Sequence, residues 1–559
     1  MKRLWLLLLA ACAQRQPPVH GCIERPPSPM DLGFDRPFTL RLEVECGVGP
    51  VIWKQLAGPP VPLVSDGVVL SARTPALPAA STWGVLPFSP RTRGALTFSA
   101  RWQSGGRSVE EIVAVAAAAR ARGLPNVPAG ARVHLGGRGW RVVDGPPGYQ
   151  VASLGEPGAF LPDRDGEWRL ADGEGRELRL RSGRYDETPL DCGRAGCHPA
   201  VSAAAAHSPM TAALARNLRA RSDGFPGCAL ACHATGDPGI ADGGFGQVAT
   251  ELGVDPGALE RWETTPPPLR RLGGVGCLAC HGPGAVPEES ARWSLLRAEV
   301  CAFCHDDPPR YGHVAAWRES RMATADRDPR TGAAPCARCH TSAGFLAAAG
   351  VLGGDRRAPA SAGPQGIACA ACHAVHAPGS VPAPGLLREV AAPPVLGRVP
   401  AGARTVCLGC HSPDGTAGSS AAALWLGRGG LDPRTGGALE GPAPHAAIAG
   451  GCIGCHRAGA GAARGAGHRF TSSPEACRGC HGPLASGAEL RARATRLWSA
   501  LGQAPLHEPP HAAGPGLDRG SARGRAAWNV SLVLEDPAAA VHNPRYAARL
   551  LDAAAEVLR

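Results

Sequence analysis

Aromatic side chains make up only 5% of the 559 residues, and the chain has four tyrosines, four methionines and two lysines, Lys2 and Lys54. So few bulky groups leave little apolar surface to fill several cores, so a further source of buried area, such as a large cofactor, is expected. Almost all of the 58 basic residues are arginine, and Ala and Gly abound throughout, which reads as GC-rich coding bias rather than function. The formal charge of +11 is scattered, with no basic run interleaved with aromatics, and this excludes a nucleic-acid partner. No apolar run is long enough to span a bilayer. What the chain has in quantity is Gly (75), Pro (55) and Cys (21). Its length allows about three or four domains.

The N-terminus joins Lys2-Arg3 to the short apolar run Leu4–Leu9 and to Ala10-Ala11-Cys12, the pattern of an export signal. Leu9-Ala10-Ala11-Cys12 resembles the bacterial lipobox, which implies a leader over residues 1–12 and a lipid on Cys12; Ala13 after it implies sorting to the outer membrane. After a linker over 13–33, short apolar alternations broken by Gly and Pro, such as Phe38–Val44, Ala95–Trp102 and Ile112–Val115, predict an antiparallel β-sandwich over 34–118. The segment Ile52–Leu63 resembles strand C of PKD-like, immunoglobulin-type domains, and a weaker second copy is expected over 124–186. Both copies read as spacers or docking modules.

From residue 190 the β pattern gives way to cysteine pairs followed by histidine. C-x-x-C-H is the attachment signature of c-type haem: two thiols add to the porphyrin vinyl groups and the next residue ligates iron. The strict form occurs as Cys277-Cys280-His281, Cys301-Cys304-His305, Cys336-Cys339-His340, Cys369-Cys372-His373, Cys407-Cys410-His411, Cys452-Cys455-His456 and Cys477-Cys480-His481. Random placement would give roughly 0.03 such motifs. Two looser spacings precede them, Cys192-Cys197-His198 and Cys228-Cys232-His233, of a kind that multihaem cytochromes use. Zinc knuckles are the alternative for Cys-x-x-Cys, but the invariable trailing His and the export signal favour haem. Nine haem c groups would take eighteen cysteines and Cys12 a lipid, leaving Cys22 and Cys46 to pair as a disulfide outside the cytoplasm. Nine haems would also bring eighteen propionates, which outweigh the formal positive charge.

The segments around Cys277–Ala285, Cys301–Asp306 with Trp317, and Ala527-Trp528-Asn529 with Val541-His542-Asn543-Pro544 resemble the bacterial multihaem cytochrome c family, in the group of cytochrome c554 and the octahaem hydroxylamine oxidoreductases. The resemblance covers about 192–559. It implies a second axial ligand for most irons, and His207, His313, His376, His445, His468 and His542 stand where such cytochromes place them. His507, His511, Met210 and Met322 are weaker candidates. Catalytic relatives use a Lys-ligated haem or a Tyr cross-link; with no lysine beyond Lys54, a Lys-ligated haem is excluded.

The expected architecture is therefore mixed and multidomain. Two β-sandwiches precede a nonahaem domain of coil and short helices over 190–484 and a helical C-terminal segment over 485–559, where the spacing of apolar residues over 544–558 predicts one amphipathic helix. The expected function is electron transfer at the cell envelope rather than catalysis, with other envelope redox proteins, among them a porin-cytochrome complex, as partners and the membrane held through the lipid. The alternative is a reductase of nitrite, hydroxylamine or a sulfur oxyanion in which one iron stays open. A third reading makes the β-domains a partner-binding surface module that the haems serve.

Overall fold

A computed structural model of the chain describes residues 22–24, 37–43, 50–57, 60–73, 95–104, 107–116, 126–131, 133–134, 139–150, 159–175, 177–186, 192–193, 198–220, 230–236, 241–255, 259, 261–283, 296–307, 311–327, 334–351, 366–376, 386–399, 405–412, 420–448, 450–457, 466–472, 477, 481, 487–503 and 517–559. The export signal and Cys12 lie outside these residues. So does Cys46, and with it the expected disulfide to Cys22.

Seven strands form the first unit: β1 (Cys22–Glu24), β2 (Pro37–Glu43), β3 (Ile52–Ala57), β4 (Val64–Asp66), β5 (Val69–Arg73), β6 (Ala95–Ser104) and β7 (Arg107–Ala116). They make a four-stranded sheet in the order β1-β2-β5-β4 and a three-stranded sheet in the order β3-β6-β7. This is the strand order of a seven-stranded immunoglobulin-type sandwich. Strand alternation sends Phe38, Leu40 and Leu42 of β2 and Leu70 of β5 inward to meet Phe98, Ala100 and Trp102 of β6. Phe38 and Phe98 touch with ring centroids 5.9 Å apart. β1 pairs antiparallel with β2, Cys22 opposite Glu43, so the unit begins inside the stretch read from the sequence as a linker.

The second β unit has six short strands: β8 (Asn126–Pro128), β9 (Val133–His134), β10 (Arg141–Asp144), β11 (Ala159–Phe160), β12 (Gly166–Ala171) and β13 (Glu177–Gly183). Its main sheet runs β10-β12-β13-β8, with β8 parallel to β13, and β9 pairs with β11. Among the described residues this order differs from that of the first unit, so the region is not a copy of it. Its core gathers Val127, Val133, Phe160, Trp168, Leu170 and Leu180, and the Trp168 indole donates to Ser182 Oγ at 2.7 Å.

Short helices follow. Tyr185, just past β13, is buried with Leu214, Leu218, Leu230, Phe245, Leu269, Leu272 and Leu278, which ties the second β unit to the first cysteine motifs. The Asn126 side-chain amide reaches the His281 carbonyl at 3.5 Å. Two short helices, Pro199–Ala206 and Ala213–Ala220, flank Pro209, which interrupts the backbone ladder between them.

The largest apolar core lies at the C-terminal end. Helix Ala522–Glu535 is buried almost all round, packed by helices Ala488–Ala500 and Pro544–Ala555 and by Ala421–Leu426. Pro544 opens its helix at the first turn, where its missing N–H costs nothing, and Asn543 Oδ1 caps it by accepting from Tyr546 N at 3.1 Å. The buried Tyr546 hydroxyl donates to Leu439 O at 2.6 Å and accepts from Gly430 N at 2.9 Å. The C-terminal segment therefore shares one core with residues 396–439 and is no separate domain. The predicted helix over 544–558 ends at Ala555 and closes with a 3-10 turn, Glu556–Leu558. Truncating the fully buried Leu550 to Ala is expected to destabilise this unit by about 2–5 kcal/mol. Thermal melts should show the matching transition lowered and the β-sandwich transition unmoved.

Candidate cofactor sites

Two thiols three residues apart and an imidazole one further come to one side of a single helical turn. The described motifs fold this way. Helices cover Cys277–His281, Ala298–His305, Ala334–His340 and Cys452–His456, and a shorter one covers Cys369–Cys372. Where the helix stops early the turn still closes: His373, His411 and His481 donate their backbone N–H to the carbonyls of Cys369, Cys407 and Cys477 at 2.8, 3.0 and 2.9 Å. Of the looser motifs, His233 ends helix Leu230–His233, and His198 precedes helix Pro199–Ala206. Cys197, Cys228 and Cys480 lie outside the described residues.

Among the described residues, the motif cysteines are outside disulfides. Burial pushes the Cys280 and Cys372 thiols up to about 11. Desolvation brings His281 and His305 down to about 4, helped by neighbouring histidines, His376 for the first and His313 for the second. Both imidazoles are therefore neutral, as a metal ligand must be.

The fit to haem can be tested on the spacing of the rings. With metal–nitrogen bonds near 2 Å on each side, two imidazoles on one iron hold their centroids roughly 6 Å apart. His281 and His376 lie 6.0 Å apart with planes 21° from parallel, and His373 and His468 6.3 Å apart at 27°. His456 and His542 are 6.2 Å apart, His445 and His481 5.8 Å, and His305 and His313 5.5 Å. Five of the six histidines expected as second ligands thus face a motif histidine across an iron-sized gap. The sixth, His207, is exposed at the end of helix Pro199–Ala206 and has no ring partner among the described residues. His507 and His511 lie outside the described residues. The residues present fit the group.

Packing brings these partners in from afar. Helix His313–Arg318 lies on the turn Ala466–Arg469, joined by Arg469 Nε to Glu319 Oε2 at 2.7 Å, so His468 comes within 4.8 Å of His313 and still faces His373. Motifs also meet each other. The thiols of Cys301 and Cys369, of Cys339 and Cys410, and of Cys407 and Cys452 are in hydrogen-bonding contact. Cys372, Cys407 and Cys410 line one apolar cluster with Phe345, Leu346 and Val406.

The sequence reading missed the groups that hold the outer ring nitrogens. His340 Nδ1 lies 2.8 Å from Ala325 O, His456 Nδ1 3.2 Å from Phe470 O and His445 Nδ1 3.0 Å from His542 O. The Asn217 amide lies 2.6 Å from His233 Nδ1, and Asp536 Oδ2 2.6 Å from His542 Nδ1. The carbonyl and carboxylate acceptors hold the ring proton on Nδ1 and leave Nε2 for iron, whereas the Asn217 amide nitrogen, a donor, fixes only the orientation of the His233 ring. Carbonyl partners carry no sequence signal, and Asp536 reads only as part of an Asp-Pro turn.

No family model matches the chain, and no curated protein matches it. Among solved structures it is similar to an undecaheme cytochrome from the S-layer of Carboxydothermus ferrireducens, at 16% identity and a TM-score of 0.34, over 51% of this chain and 50% of that one. The chain thus spans about half the length of that structure.

If His376 is the partner of His281, the His376→Ala variant of the haem-loaded chain should convert one low-spin ferric signal to high spin in its paramagnetic resonance spectrum. An unchanged spectrum would exclude the pairing.

Proposed function

We propose that this chain is a multihaem c-type cytochrome that carries electrons at the bacterial cell envelope through nine haems. The observation that carries the reading is the repeated Cys-x-x-Cys-His turn, five copies of which face a second imidazole across an iron-sized gap. Haem, when bound, supplies a one-electron iron couple. The cysteine pairs would hold it by thioethers, and the motif histidine and its facing partner would ligate the iron. Two protein ligands would keep small molecules off the metal and would leave its coordination the same in both oxidation states, which suits transfer over catalysis.

The contacts between motifs support stepwise movement. They run from Cys277–His281 to Cys301–His305, on through Cys369–His373 and Cys407–His411 to Cys452–His456, and then to His481 through the bond from His445 to His542 O. The motif ending in His340 joins this line from the side, Cys339 against Cys410 and Arg338 Nη2 donating to Gly409 O at 3.4 Å. Cys12 anchors the protein to the outer membrane, facing the periplasm or the cell surface, and the β-sandwich spaces the haem region from that anchor or docks an envelope redox partner.

Film voltammetry of the haem-loaded protein, together with a mass measurement of covalent haem, tests the reading. Nine haems and a broad reversible envelope, unchanged by nitrite, hydroxylamine or tetrathionate, are expected. A catalytic current with any of the three would assign the protein to the reductases instead.

A further inference from the structure

Resting on the multihaem reading, we infer that Asp536 is a positioning residue that sets the iron site of Cys452, Cys455 and His456 to a lower potential than its neighbours by acting through His542. Asp536 follows the last residue of helix Ala522–Glu535 and is 2% exposed. Its two carboxylate oxygens are both engaged: Oδ1 accepts from Ala538 N at 2.9 Å, and Oδ2 lies 2.6 Å from His542 Nδ1. The loop between them is tight, with Ala539 N donating to Asp536 O at 3.1 Å and His542 N to Ala538 O at 2.9 Å, so the carboxylate cannot swing away from the ring. The centroid of that ring lies 6.2 Å from that of His456.

The other axial candidates with a described outer-nitrogen partner rest on neutral groups: His340, His445 and His456 on backbone carbonyls and His233 on an amide. His542 alone among these has a carboxylate. A hydrogen bond to an ionised acceptor is about twice as strong as a neutral one, and burial strengthens it further. It draws the Nδ1 proton away from the ring, makes Nε2 a stronger donor to iron and favours the ferric state. Neighbouring Glu535 does not share in this, since burial pushes its carboxyl up to about 8 and keeps it neutral near pH 7.

The place of this site in the array gives the effect a consequence. It stands between the motifs of His411 and His481, touching the first through Cys407 and Cys452 and the second through His445 and the His542 carbonyl. Electrons passing to the His481 end cross it, so a lowered potential there makes an uphill step that slows flow until the upstream sites are reduced.

The test is a redox titration of the full-length, haem-loaded chain followed by electron paramagnetic resonance. His542→Ala identifies the component, whose low-spin ferric signal should turn high spin. Asp536→Asn should raise the midpoint of that component most, with its ferric-to-ferrous ratio at fixed potential falling about tenfold, equivalent to about 59 mV for one electron, while the neighbouring His411 component, which also feels the Asp536 charge, moves less. A midpoint that Asp536→Asn leaves in place, while His542→Ala does alter the component, overturns the proposal and leaves the multihaem reading standing. If His542→Ala disturbs no low-spin signal, the ligand assignment falls and the proposal with it, and a chain that carries no haem would sink both readings. Should the Asn variant lose a haem, Asp536→Glu, which keeps the charge and displaces it, is titrated in its place: a shift in the same component supports the proposal and an unmoved midpoint refutes it.

Discussion

One turn of helix is the unit on which the rest of this structure depends. Cysteines at i and i+3 and a histidine at i+4 share one face, so five residues supply every bond needed to hold a large apolar cofactor at one edge. A site that local needs no long helix or broad sheet to assemble it. The motif region is accordingly built from helices as short as Leu230–His233 and Cys369–Cys372, joined by Gly- and Pro-rich connections. The same economy explains the scarcity of aromatics there. A cofactor bonded to the turn brings its own apolar surface, and the surrounding chain has only to close over it.

The second imidazole places the opposite demand on the fold, because in every pair but His305 with His313 it comes from far along the chain. His376 reaches back to His281, His468 to His373 and His542 to His456. Such partners are held by tertiary packing, and the C-terminal core does much of the holding. Helix Ala522–Glu535 is buried on nearly every side, with Trp528 Nε1 donating to Gly429 O at 2.8 Å and the Asn529 amide bonded to both backbone groups of Leu431 at 2.7 and 2.8 Å. Its end delivers Asp536 and then His542, whose carbonyl in turn steadies His445. A conventional apolar core thus positions imidazoles that short loops alone would leave free to rotate.

The local half of this design was legible in the sequence and the long-range half was not. The motifs, the β alternation of residues 37–116 and the apolar spacing of the last helix are all patterns of period two, three or four, and each is written within one element. Five of the six expected second ligands do face a motif histidine, yet for all but His313 the partner is not the nearest in sequence. His376 stands three residues from His373 but faces His281, and His468 precedes Cys477 but faces His373. Nothing local could assign these, since each depends on how separate elements pack. The second β unit was misread for a related reason: β8 is three residues long and joins its sheet in parallel with β13, a pairing that short alternation does not encode. Asp536 escaped because an Asp before Pro in a turn is commonplace, and only burial against His542 gives it a role.

Two backbone outliers indicate where the chain yields to its sites. Leu386 and Phe470 are the described non-glycine residues with positive φ, both at 56°. Each presents its carbonyl beside an axial candidate: Leu386 O accepts from Ala374 N, next to His373, and Phe470 O lies on His456 Nδ1. The Phe470 ring meanwhile stands edge-on to His468, with centroids 5.8 Å apart. A left-handed leucine or phenylalanine costs on the order of 1–3 kcal/mol and persists only where its surroundings over-determine it. In both places the strained residue ties a motif histidine, or the residue after it, to a separate stretch of chain.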